Sequence, residues 1–200
     1  MSPFQSIQKE YLSQEFSDLH LSGDEISAIE FDGCTFKGCD FSEVIFKKCK
    51  FIDCHFNSCN LSLINVAYSQ FLDVLFDNCK MIGIDWTRAH WPCFDLYASI
   101  KFDYCIINDC SFFGLNLSEI VIESCKVHCV DFRAANFSEA SFRYSDLSNS
   151  LFNETDLSNT DFSEATNYTI NIFNNKMKGA KFSRYEAISL LDSLGIELVD

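Results

Sequence analysis

The sequence predicts an all-β chain wound into a square coil and closed by a short C-terminal α-helix. A large apolar residue stands at every fifth position from Tyr11 to Leu96, eighteen centres in succession. From Ile29 to Phe94 the slot two residues before each centre is apolar or small, while the other three slots collect Asp, Asn, Ser, Glu, Lys and Arg. A period of five matches neither the helical repeat of about 3.6 nor the strand repeat of about 2, so it describes a repeated supersecondary unit.

Residues 1–10 precede the period and form a separate N-terminal segment. From Tyr11 the centres run through Phe16, Leu21, Ile26, Phe31, Phe36 and onward. The register slips by one residue across Tyr97–Ile100 and resumes at Phe102, which reads as a one-residue bulge at a corner. Trp91-Pro92 just before it suits a corner too, because proline cannot donate to a ladder. The period then holds to Phe162, is broken by Asn167, and returns at Ile172, Met177 and Phe182. Two inward and three outward positions per five residues describe one short extended face and a corner. Four faces close a coil of 20 residues, so each centre lies over the one 20 earlier, as in Phe36, Phe56 and Phe76. Residues 11–182 then make about nine coils, and at about 4.8 Å per rung a rod on the order of 40 Å long.

The tail, 183–200, abandons the period. Tyr185, Ile188, Leu191 and Leu194 line one side of a helix that Gly195 stops, and Ile196 and Leu198 prolong the apolar stretch. This is more apolar than a cap over the last coil requires, so these six residues are the expected homodimer contact.

With 29 acidic and 15 basic residues the formal net charge is −14, which excludes nucleic acid and anionic membranes as partners and favours a basic protein surface. No stretch approaches the roughly 20 apolar residues of a membrane span, and Met1–Glu10 lacks a signal-peptide pattern, so a cytoplasmic location is expected. Of the eleven cysteines, nine (Cys34, Cys39, Cys49, Cys54, Cys59, Cys79, Cys105, Cys110, Cys125) fall two residues before a centre. Ala, Ser and Thr share that slot elsewhere, so the thiols read as small buried side chains rather than as a disulfide or metal framework. Cys93 and Cys129 fall outside it.

Under a one-residue slip, face a carries the centres 11, 31, 51, 71, 91, 112, 132, 152 and 172, and face b carries 16, 36, 56, 76, 96, 117, 137, 157 and 177. The outward slots of a and b then hold fourteen carboxylates against five basic side chains; those of c and d hold ten against nine. Glu30, Asp32, Asp53, Asp73, Asp77, Asp95, Glu119, Asp131, Glu139, Glu154 and Asp156 are the candidate partner-binding carboxylates of the two acidic faces. A rod of even width bearing regular negative charge has the outline of a nucleic-acid backbone.

Catalysis is not expected. His20, His55, His90 and His128 are scattered over outward slots, and Cys54 and His55 point to opposite sides of the wall. The aromatic ladders leave no room for a substrate. No catalytic, cofactor-binding or metal-ligating residues are therefore assigned.

Runs such as Ala135-Asn136-Phe137-Ser138-Glu139 and Thr160-Asp161-Phe162-Ser163-Glu164 resemble the pentapeptide repeat family, over roughly residues 11–182. That resemblance implies a right-handed quadrilateral β-helix. The acidity and the apolar tail from Tyr185 to Ile196 are most similar to topoisomerase-protecting members, the quinolone-resistance and toxin self-immunity proteins. It implies a DNA-mimicking dimer that engages DNA gyrase or topoisomerase IV and protects it from quinolones or peptide toxins. With one residue of slip the chain resembles loopless members rather than those with two projecting loops. The competing expectation is a non-catalytic scaffold or interaction protein with an unrelated partner.

Overall fold

The computed structural model describes Phe4 and residues 9–91 and 100–196. The five-residue period becomes a β-solenoid of about eight turns built from parallel rungs. Face a pairs Glu10–Leu12, Glu30–Asp32, Lys50–Ile52 and Gln70–Leu72, each strand 20 residues from the next. Face b runs Glu15–Ser17, Thr35–Lys37, His55–Asn57, Val74–Asp77, Ile100–Asp103 and Val121–Glu123. Faces c and d are stitched mostly by single bridges, such as His20 to Asp40 and Asp131 to Leu151.

Each face is only about three residues long, so the chain must turn sharply after it. The residue two beyond a centre does this in the left-handed region, from Ser13 (φ 49°) to Glu164 (φ 59°), with glycine at only a few of these corners and a 3₁₀ turn, Trp86–Arg88, in its place after Trp86. A non-glycine residue there costs about 1–2 kcal/mol, less for Asn and Asp. Rung bonds hold it in place: the Asp53 amide donates to the Leu72 carbonyl at 2.9 Å, and that of Glu119 to Ser138 at 2.8 Å.

Inside, like stacks on like. Phe31 and Phe51 lie 5.2 Å apart and 8° from parallel, Phe36 and Phe56 4.6 Å apart, and Phe56 and Phe76 5.0 Å apart. Rings on neighbouring faces meet edge to face, as Phe31 does Phe36 at 76°. Phe4 plugs the N-terminal end, its ring edge-on to Tyr11, Phe16 and Phe31 at 5.3–5.5 Å.

The one-residue slip is corrected. Phe76 pairs with Phe102, an offset of 26 rather than 20, so six extra residues enter within 92–99. Lys80 bridges Ile106 and Asp85 bridges Ser111 at the same offset, and 20 is restored afterwards. Relative to a one-residue slip they take one face, a quarter of a coil, out of the solenoid, which has about eight turns rather than the expected nine. Pro92, Cys93, Asp95, Leu96 and Tyr97 lie outside the described residues.

Nine cysteines are buried and free, and Cys129 is exposed. They do more than fill space. The Sγ of Cys54 donates to the Phe31 carbonyl at 3.3 Å and that of Cys79 to Phe56 at 3.3 Å, both 23 residues back. Ser145 and Thr160 place hydroxyls on Ile122 and Phe137 in the same way. Cys105 and Cys110 reach back 29 residues, to Phe76 and Met81, repeating the six-residue insertion independently. Cys39, Cys59, Cys79, Cys105 and Cys125 thus stack along one corner. Burial pushes the thiols of Cys54 and Cys110 up to about 12.

The break at Asn167 takes a definite form, and the type of the terminal helix is corrected. Asn167 sits at a left-handed corner (φ 58°), exposed, and its amide donates to Asp146 Oδ1 at 2.9 Å. The next residue, Tyr168, turns inward instead, 5.4 Å from the Phe182 ring. The tail, Glu186–Leu194, is a 3₁₀ helix rather than an α-helix. With about three residues per turn it aligns Tyr185, Ile188, Leu191 and Leu194 along one ridge, while Leu190 packs on the core.

Because Cys79 stacks between Cys59 and Cys105 in a column of small side chains that donate to carbonyls, Cys79→Ser is expected to cost about 1 kcal/mol or less. Cys79→Leu should cost about 1–3 kcal/mol by overpacking. Urea unfolding of both variants measures the difference.

Candidate partner-binding faces

The insertion carries every rung beyond 99 one face back. Face a continues from Phe71 to Leu117, Phe137, Leu157 and Met177, as the bridges Asn116–Asn136 and Asp156–Lys176 show. Face b continues from Phe76 to Phe102, Ile122, Phe142, Phe162 and Phe182. Asp131 and Glu154 therefore leave the acidic pair and stand on face d. Asp131 is in any case neutralised by Arg133, whose guanidinium donates to both carboxylate oxygens at 2.8–2.9 Å. Asp95 lies outside the described residues.

Glu30, Asp32, Asp53, Asp73, Glu119, Glu139 and Asp156 fall on face a, and Asp77 on face b. Among the described residues, the outward slots of face a hold eight carboxylates against Lys50, Lys176 and Lys178. Face b holds seven against five, face c four against two, and face d four against four. The acidic bias survives the correction but concentrates on face a.

Its arrangement is columnar. Asp53, Asp73, Glu119 and Glu139 occupy one line of left-handed corners, with φ between 49° and 64°. None of the four makes an ion pair among the described residues, whereas Glu30 binds Lys50 and Asp156 binds Lys176, each at 3.1 Å. A corner residue of this kind points away from the wall into solvent; the rung spacing of about 4.8 Å separates Asp53 from Asp73 and Glu119 from Glu139, while one further coil stands between Asp73 and Glu119.

On face b the register joins three carboxylates that the one-residue slip had separated: Asp77 pairs with Asp103, and Asp103 with Glu123. Asp103 and Glu123 were thereby missed as acidic-face residues. The available signal was like-on-like stacking, since an offset of 26 puts Phe on Phe and Cys on Cys. Partial burial and the charges of Asp77 and Glu123 raise the Asp103 carboxyl above its ordinary value. Asn57 donates to Asp77 at 2.6 Å, and Ser141 donates to Glu123. Asp146, on face c, behaves oppositely. Burial works against its charge, but hydrogen bonds from Ser148, Asn167 and His128 outweigh this and hold its carboxyl well below the usual range.

Of the expected dimer contact, Tyr185, Ile188, Leu194 and Ile196 are exposed, Tyr185 by 84%, and Leu191 is half-buried. Leu198 lies outside the described residues. Cys54 is buried on its carbonyl, while His55 lies outward, 3.9 Å from Asp77. Among the described residues no group of three His, Cys, Asp or Glu is placed to hold a metal ion. No described helix is long and apolar enough to cross a membrane.

The raised Asp103 carboxyl binds its proton more tightly folded than unfolded. Its contribution to stability is present at low pH and lost as pH rises through the folded value, leaving a small penalty at neutrality. Asp103→Asn should therefore raise stability at pH 7, by a few tenths of a kcal/mol after screening, and leave it unchanged near pH 3. Thermal melts across that range check the sign.

The pentapeptide repeat region model matches residues 29–99 and 93–162. No curated protein matches the chain. Among solved structures, a trypsin-treated form of QnrB1, a plasmid-mediated fluoroquinolone resistance protein, is 21% identical with a TM-score of 0.50, covering 96% of this chain and 100% of that one. HetL, a pentapeptide repeat protein involved in heterocyst differentiation regulation from the cyanobacterium Nostoc sp. strain PCC 7120, is 14% identical with a TM-score of 0.54 over 90% and 87% of the two chains. With the period, the rungs and the family match in agreement, the chain belongs to the pentapeptide repeat family.

Proposed function

We propose that the chain is a non-catalytic, DNA-mimicking binding protein. Its acidic faces engage the basic DNA-binding surface of a type II topoisomerase, DNA gyrase or topoisomerase IV, in the cytoplasm. The outcome is protection from quinolone or peptide-toxin poisoning. The observation that carries this reading is the unpaired column Asp53, Asp73, Glu119 and Glu139 on face a, flanked on face b by Asp77, Asp103 and Glu123. Regular carboxylates on a stiff rod present a basic saddle with fixed negative charge at no ordering cost. The fold is shared with QnrB1, a fluoroquinolone resistance protein, which is compatible with this partner class.

The ridge Tyr185, Ile188, Leu191 and Leu194 with Ile196 supports a homodimer joined at its C-terminal ends. Eight turns at about 4.8 Å give a rod of roughly 40 Å, so the dimer spans on the order of 80 Å, or about 24 base pairs.

Gyrase supercoiling titrated with the protein, with and without ciprofloxacin, tests the reading: relief of drug inhibition is expected. Asp73→Lys with Glu119→Lys, two changes on face a, should abolish the effect. Asp109→Lys on face c should leave it intact, and an equal loss there would show that face a is not the contact. Ile188→Asp should halve the mass seen by light scattering, because the side chain is exposed and its loss leaves the core untouched.

A further inference from the structure

The corner between faces d and a carries the opposite charge over its first four turns. Lys48, Tyr68 and Arg88 follow one another up this corner, joined by the rung bonds from Lys48 to Ala67 and from Tyr68 to Arg88, at 3.0 and 2.9 Å. Lys47 lies beside Lys48 on face d, and Lys50 and His90 stand on the adjoining edge of face a. Lys47, Lys48 and Arg88 make no ion pair among the described residues. On a chain of net charge −14 this is the reverse of the prevailing field.

Tyr68 stands between the two cations, 68% exposed and in the left-handed region at φ 59°. A tyrosine held in that conformation with its ring in solvent stabilises nothing in the fold and costs about 1 kcal/mol or more. Two shallow grooves run along the corner. One is lined by Lys9, Lys48, Lys50, Glu10, Glu30 and the apolar Ala28 and Ile29, with Lys50 paired to Glu30 at 3.1 Å; the other, free of carboxylates, by Tyr68, Arg88, His90, Thr87, Ala67 and Ala89.

We propose that this corner is a second docking surface, which holds a short acidic segment of a protein partner between Lys48 and Arg88 with an apolar side chain against Tyr68. The unpaired Lys47, Lys48 and Arg88 are complementary to carboxylates, and the groove beside Tyr68, floored by Ala67 and Ala89, suits a peptide. The patch is also short. Asp53 and Asp73 stand at the next corner of the same rungs, where they repel a phosphate backbone continuing past the cations. A segment with two or three carboxylates fits where a long polyanion does not. The site is independent of the topoisomerase reading and stands if that reading fails.

Fluorescence anisotropy of the intact protein with a short fluorescein-labelled, glutamate-rich peptide carrying one phenylalanine tests it. At about 0.1 M salt the Debye length of about 10 Å screens the distant carboxylates. Saturable binding is expected, weakened about tenfold by Lys48→Glu with Arg88→Glu, as two exposed ion pairs allow. Tyr68→Ser should weaken it severalfold, and Lys126→Glu on face c should leave it unchanged. All these side chains are exposed, so thermal melts should match the parent. Absence of saturable binding, or an equal loss from Lys126→Glu, overturns the proposal. Tighter binding of a labelled thymidine oligonucleotide of equal charge also overturns it, in favour of a nucleic-acid surface.

Discussion

Everything in this molecule depends on the rung: a face only a few residues long, hydrogen-bonded in parallel to the equivalent face one coil away. Such short strands have no stability of their own. They persist because each rung also stacks its ring, its small inward donor and its left-handed corner on the same groups in the next. The ladder of Phe16, Phe36, Phe56 and Phe76 and the bonds from Cys54, Cys79, Ser145 and Thr160 to carbonyls of the preceding coil express one constraint. A side chain's surroundings are thus set by its slot and its coil, and the surface is read in columns.

A change in register has consequences far beyond its length. Six residues within 92–99 move half the chain by one face, and ladder matching shows why this offset is stable. Phe76 meets Phe102 at 5.3 Å, Trp86 meets Phe112 nearly parallel, and Cys79 finds Cys105. The same shift collects Asp77, Asp103 and Glu123 into one line at an electrostatic cost visible in Asp103. It also sends Asp131, which its sequence neighbour Arg133 neutralises locally, to face d. Packing chooses the register, and the surface charge follows.

Much of this was legible in the sequence. The period of five placed the centres, the square section and the burial of nine cysteines, because each is a local property of the slot. The length of the insertion was hidden by coincidence. Leu96 continues the period by number although it precedes the Phe76–Phe102 rung, so hydrophobicity alone favoured a one-residue slip. At Asn167 the polar residue correctly marked a break, but that Tyr168 would turn inward depends on space beside Phe162 and Phe182. The terminal helix was expected to be α-helical and is 3₁₀, since residues three apart align on either kind of helix. Eight of the eleven candidate carboxylates stand where the acidic pair was expected. Those displaced lie beyond the insertion, where only long-range pairing decides the face.

The surface that results has two signs: carboxylate columns along face a and its neighbour, and a small basic corner confined to the first turns. The carboxylate columns beyond the insertion follow from a register of 26 between Phe76 and Phe102, whereas the basic corner lies wholly before it. The most direct test is disulfide trapping in a background with Cys93 and Cys129 replaced by serine. Directly paired parallel positions lie within disulfide reach. Asp77→Cys with Asp103→Cys should close under mild oxidation, while Ile82→Cys with Asp103→Cys, neighbours only under a one-residue slip, should remain reduced. Closure of the second pair and not the first would contradict the register, and with it the assignment of every charged residue beyond the insertion.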